Sequence, residues 1–139
     1  MAHVPFKTWL LAARPKTLPA AAAPVILGTA LAAADGAFHV LAACCALAGA
    51  IFIQIGTNYA NDYFDFIKGT DTEDRIGPLR VTQAGLVTPG QMRNATALVV
   101  ALAALAGLYL VVRGGWPIVL IGVTAILWGV LYTGGPAPI

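Results

Sequence analysis

Charge is what this sequence has least of. Lys, Arg, Asp and Glu make up 10% of its 139 residues, where a soluble domain carries about a quarter, and the mean hydropathy is +0.81. A water-soluble globule is thereby excluded, and a bilayer becomes the natural solvent, because spanning helices need runs of about 20 apolar residues with almost no charge. The eight basic residues are scattered and the net charge is only +2, which leaves no basic stripe and excludes nucleic acid as a partner. Cysteine is nearly absent too. Cys44 and Cys45 are the only two; as neighbours in an apolar run they neither bridge each other nor supply spaced zinc ligands, so helix packing is their expected role. The start, MAHVPFKTWLLAARPKTLP, lacks the basic beginning, compact apolar core and small-residue cleavage site of a secretory signal. The first helix is therefore expected to stay in the mature protein.

What is present is apolar length. Four segments, about 17–34, 39–66, 94–112 and 116–132, are each near the length a bilayer requires, which predicts an all-α integral membrane helical bundle. The second is long enough to project into the interface. Pro15, Pro19 and Pro24 crowd the start of the first segment, where a proline fits the opening turn and a later one bends the helix. Asp35 to His39 forms a link without Lys or Arg, whereas Arg14, Lys16, Lys68, Arg75, Arg80 and Arg93 flank the other ends. By the positive-inside rule the N-terminus and the 67–93 loop are expected in the cytoplasm, with Arg113 a minor exception. No internal repeat and no second domain are evident.

Five of the six acids (Asp62, Asp65, Asp71, Glu73 and Asp74) fall in one stretch at the end of the second segment and the loop after it. At 100° per residue, Gln54, Asn58, Asn61, Asp62 and Asp65 lie within an arc of about 100° on one side of a helix. Carboxylates and amides on a membrane helix cost several kcal/mol unless they face a cavity or a partner. A divalent cation would remove the repulsion between two carboxylates one turn apart. Hard oxygen donors favour magnesium or calcium over zinc, and magnesium commonly keeps waters and bridges to phosphate, so a diphosphate substrate would complete such a site. Two blander readings stand beside this one: a helix end solvated at the interface, and an ion or proton path in a transporter. Clustered Asn and Gln suit a metal–diphosphate site better than a proton relay. His3 and His39 lie away from the stripe.

The stripe, read as Asn61-Asp62-Tyr63-Phe64-Asp65 within NYANDYFDFIKGTDTEDRIGPLRVTQAGL, resembles the first aspartate-rich motif of the UbiA-type intramembrane prenyltransferases, approximately NDxxDxxxD. The last aspartate departs from that pattern: Gly69 stands in its place and Asp71 follows two residues later. This spacing is similar to the branch of the family that acts on 1,4-dihydroxy-2-naphthoate. ARPKTLPAAAAPVILG at the start and LYTGGP near the end extend the resemblance over nearly the whole chain. It implies a fold of about nine helices, of which this chain carries about four, and a second aspartate-rich motif in a missing C-terminal half, without which this polypeptide is expected to be inactive.

The implied activity is magnesium-dependent transfer of a polyprenyl group from polyprenyl diphosphate to 1,4-dihydroxy-2-naphthoate with loss of its carboxyl, giving demethylmenaquinone for menaquinone biosynthesis. The nearest alternative is another aromatic acceptor such as 4-hydroxybenzoate. By the same resemblance Asn58, Asp62, Asp65 and Asp71 are the expected magnesium ligands and Asn58, Asn61, Lys68 and Arg80 the expected diphosphate contacts. Asp62, Asp65 and Arg80 are the expected catalytic residues. Arg80 lies in a cap-loop-like Arg-x-x-x-x-Gly pattern ending at Gly85; an arginine fork matches oxyanions, although Arg80 and Lys68 could equally face anionic lipid. Arg14 and Lys16 could contact substrate or simply signal topology.

Overall fold

The computed structural model describes residues 4–69 and 79–134, and all the secondary structure it contains there is helical. Helix α1 spans Phe6–Ala13, α2 Leu18–Ala34, α3 Val40–Lys68, α4 Pro89–Gly114 and α5 Trp116–Gly134, with a 3-10 turn at Pro15–Thr17 between α1 and α2. Three stretches, Phe6–Ala34, Val40–Lys68 and Pro89–Gly114, are long and apolar enough to cross a membrane, and Trp116–Tyr132 is a shorter apolar helix.

Two boundaries differ from the sequence expectation by more than two residues. The first segment is preceded by a separate helix, α1, and the break between the two falls at Arg14, whose backbone is left-handed (φ 50, ψ 69). Pro15 explains it, since a proline disfavours the α conformation in the residue before it and supplies no N–H. Thr17 ties the turn through its backbone N–H and its hydroxyl, both donating to the Arg14 carbonyl at 2.9 Å. Pro19 sits in the first turn of α2 and Pro24 inside it. The third segment begins at Pro89 instead of 94, because Thr88 and Gln91 form a capping box. The Thr88 hydroxyl accepts from the Gln91 N–H and the Gln91 side chain accepts from the Thr88 N–H.

A helix of 29 residues is about 44 Å long at 1.5 Å per residue, against a hydrocarbon layer of about 30 Å. One end of α3 therefore projects into the interface. The opposite end is capped by His39, whose Nδ1 accepts from the Ala42 N–H at 3.3 Å and whose ring lies 6.3 Å from that of Tyr109. Helices α3 and α4 run closely together: a Cβ added at Gly56 would stand 3.3 Å from Val100 Cγ2, and one at Gly49 3.9 Å from Ala106 Cβ, the small-residue approach usual between membrane helices.

The buried core is off-centre. Ala12, Ala13, Tyr59, Val81, Val87 and Met92 cluster with Trp9, Ile55 and Tyr63, so α1, the last third of α3, the 79–88 segment and the start of α4 pack together at one end of the bundle. Elsewhere the helices carry their large apolar side chains outward, such as Ile26, Leu27, Leu105, Leu120 and Trp128. That is the expected surface of a chain whose solvent is lipid or further helices.

Candidate active site

The polar stripe of α3 is divided between two partners. Its first half meets the break between α1 and α2. The Asn58 amide nitrogen donates to the Ala13 carbonyl at 2.8 Å and to the Thr17 hydroxyl at 2.9 Å, and the Gln54 amide reaches the same hydroxyl at 3.4 Å. Tyr59 supports this contact by donating to the Trp9 carbonyl at 3.2 Å, with the two rings 5.8 Å apart.

The second half meets the 79–88 segment. Asp62 is 2% exposed. Its Oδ2 accepts the Val81 N–H and its Oδ1 the Thr82 N–H, both at 3.0 Å. One turn further along α3, Asp65 pairs with the Arg80 guanidinium, and both side chains are largely enclosed. Residues 80–86 form a single helical turn. Ala84 N–H reaches the Arg80 carbonyl, and the turn closes with Leu86 N–H on the Val81 carbonyl and Gly85 N–H on the Thr82 carbonyl, a Schellman pattern with Gly85 left-handed at φ 70. The Arg80-to-Gly85 spacing is thus the length of one capped turn. Asp62 serves as the N-cap of that turn, supplied from another helix.

Of the residues singled out in the sequence, the structure brings together Asp62, Asp65 and Arg80. Asn58 lies one turn before Asp62, turned by its amide nitrogen toward the α1–α2 break, and Asn61 is buried beside it. Lys68 is exposed in the last turn of α3. Asp71, with Glu73 and Asp74, lies outside the described residues. Gly69 ends α3 with φ 63, its N–H on the Asp65 and Phe66 carbonyls. Position 69 is a left-handed helix cap, which glycine occupies without strain.

Thr17, Thr82, Trp9 and the Ala13 carbonyl are the participants sequence reasoning missed. Only Thr17 had a local signal, as the polar residue of the proline-broken ARPKTLP segment.

Magnesium suits the donor chemistry here. Every candidate donor is an oxygen, and each Asp62 oxygen has a lone pair left after accepting one N–H. Among the described residues, however, no three His, Cys, Asp or Glu side chains are grouped closely enough to hold an ion. Beside the stripe, an apolar cavity of about 680 Å³ opens between α2, α3, α4 and α5, lined by Pro24, Gly49, Ala104, Gly107 and Ile126, with Gln54 at its polar edge.

A multi-pass, all-helical membrane protein with carboxylates, amides and an arginine gathered at one end of the bundle is the class that fold and site define. The chain matches the UbiA prenyltransferase family over residues 21–138, and it belongs to that family. It is 45% identical over 133 residues to the 1,4-dihydroxy-2-naphthoate octaprenyltransferase of Mycobacterium tuberculosis, covering 96% of this chain and 45% of that protein. The Escherichia coli protein of the same name is 50% identical over 105 residues (76% and 34%). That of Haemophilus influenzae is 36% identical over 146 residues (99% and 47%). The chain thus spans less than half the length of the curated relatives it matches. No solved structure gives a significant match.

Proposed function

We propose that this chain is the N-terminal part of an enzyme that transfers a polyprenyl group from polyprenyl diphosphate to 1,4-dihydroxy-2-naphthoate, with loss of the ring carboxyl, on the route to menaquinone. The observation that carries this reading is the buried grouping of Asp62, Asp65 and Arg80 at one end of an otherwise apolar bundle. It is supported by the name shared among relatives 36–50% identical to the chain. Asn58, Asp62 and Asp65, with Asp71 from the loop, would hold magnesium, which when bound would neutralise charge on the departing diphosphate. Arg80 would bind the diphosphate oxygens through its planar fork, with Asn61 and Lys68 as further contacts. The apolar cavity beside Gln54 would take the first part of the isoprenoid tail, so that the allylic carbon lies between polar end and apolar space, sheltered from water. The remaining helices and a second set of acids would come from the rest of the protein. The enzyme would lie in the cytoplasmic membrane, with the N-terminus and the connection between α3 and α4 on the cytoplasmic side, a reading that rests on the distribution of Lys and Arg.

The test is transfer of a polyprenyl group by the full-length protein in detergent, with 1,4-dihydroxy-2-naphthoate and 4-hydroxybenzoate offered separately. Turnover is expected with the naphthoate only, to stop on addition of EDTA, and to return with magnesium. Asp65→Ala is expected to lower kcat by about 10²–10³, the usual cost of removing a group that stabilises developing charge. Undiminished turnover in Asp65→Ala or in EDTA would remove the site and the metal from the reading, and preference for 4-hydroxybenzoate would reassign the acceptor.

A further inference from the structure

Asp62 makes contacts that the transfer reaction does not explain. A carboxylate that only held a cation would turn its oxygens toward open coordination space; this one is enclosed, and each oxygen receives a backbone N–H from the 80–86 turn at 3.0 Å. Val81 and Thr82 are the residues immediately after Arg80, and their buried N–H groups are the first donors of the turn, which no carbonyl inside it can satisfy. At its other end the turn is closed by Gly85 and fastened by the buried side chains of Val81 and Val87. Arg80 therefore stands at the start of a closed turn that Asp62 ties to α3. Its guanidinium then meets Asp65, three residues along the same helix face.

We propose that Asp62 is a positioning residue for Arg80. Its carboxylate docks the 80–86 turn onto α3 in the absence of any cation and so fixes where the Arg80 guanidinium stands. Asp62 sets the backbone and Asp65 sets the side chain. An arginine on an undocked loop would have to be ordered at every binding event, whereas a docked one loses little freedom when an anion arrives. The structural part of this proposal stands without a substrate; its kinetic part rests on the reading of Arg80 as the diphosphate contact.

The experiment uses the full-length protein in detergent with EDTA and follows hydrogen exchange of the peptide covering residues 79–87. Asp62→Asn preserves shape but leaves a single acceptor oxygen for two N–H groups. It is expected to speed exchange at Val81 and Thr82 by about tenfold, the effect of losing one hydrogen bond, while exchange in α4 is unchanged and reports an intact fold. Unchanged exchange at 79–87 overturns the proposal. With magnesium and substrates present, Asp62→Asn is expected to raise KM for polyprenyl diphosphate more in the wild-type background than in Arg80→Ala, since part of its effect passes through that arginine. An equal rise in both backgrounds overturns the coupling to Arg80. A wild-type protein that transfers no prenyl group would sink the functional reading, and the exchange result would still decide whether Asp62 docks the turn.

Discussion

Asn58 offers the sharpest test of how the stripe is used. In the structure its amide nitrogen, not its oxygen, makes the contacts that join α3 to the α1–α2 break, at 2.8 Å to the Ala13 carbonyl and 2.9 Å to the Thr17 hydroxyl, in a setting only 4% exposed. A hydrogen bond within a protein is worth about 0.5–1.5 kcal/mol net, and those between membrane helices average about 0.6 kcal/mol. Asn58→Ala should therefore destabilise the full-length protein by roughly 1–3 kcal/mol. Asn58→Asp should cost more, by about 3 kcal/mol or beyond. It puts an acceptor-only carboxylate against the Ala13 carbonyl and a second negative charge one turn from Asp62. Reversible unfolding in mixed detergent, titrated with SDS and read by tryptophan fluorescence, gives both values. A side chain present only to offer an oxygen to a cation would behave in the opposite order, because a carboxylate is the stronger ligand. If Asn58→Asp proved as stable as the wild type, the reasoning that makes Asn58 a donor to the first helix would be wrong.

Two further outcomes follow from packing and capping. Gly129→Ala should lower stability by about 1–3 kcal/mol, because its Cβ would stand 2.6 Å from Thr57 Oγ1 where α5 crosses α3; the same unfolding titration should show recovery in the Gly129→Ala, Thr57→Ala double variant. Thr88→Ala should cost about 0.5–2 kcal/mol through loss of the capping box that opens α4, with Thr88→Ser close to wild type in a thermal melt.

Helix existence and the face carrying chemistry were legible because both rest on local period. Uncharged apolar runs mark spans, and 100° per residue collects Gln54 to Asp65 on one side whatever the helix packs against. The start of α4 was legible but misread: counting apolar residues begins near Asn94, while Thr88-Pro89-Gly90-Gln91 carries the capping-box spacing five residues earlier. Helix α1 escaped notice because eight residues are too few to span, and nothing in its composition says that it folds separately against Tyr59. Of the partners of the stripe, Arg80 was legible as a side chain but the backbone partners were not. Backbone groups of Ala13, Val81 and Thr82 have no signature in a sequence, and they became partners only because Pro15 breaks one helix and Gly85 closes another turn.

The placement of the acids also bears on how such a site could work. Among the three charged side chains that meet here, two are carboxylates and one is a guanidinium. Were magnesium bound here, Asp62 and Asp65 would hold it, and it would supply positive charge toward a diphosphate. Because Asp62 meets the turn through backbone N–H groups, a change in the Asp65–Arg80 pair would act on the Arg80 side chain and leave that backbone contact in place. Two carboxylates three residues apart on one helix thus meet different groups, one the backbone of the turn and the other its arginine side chain.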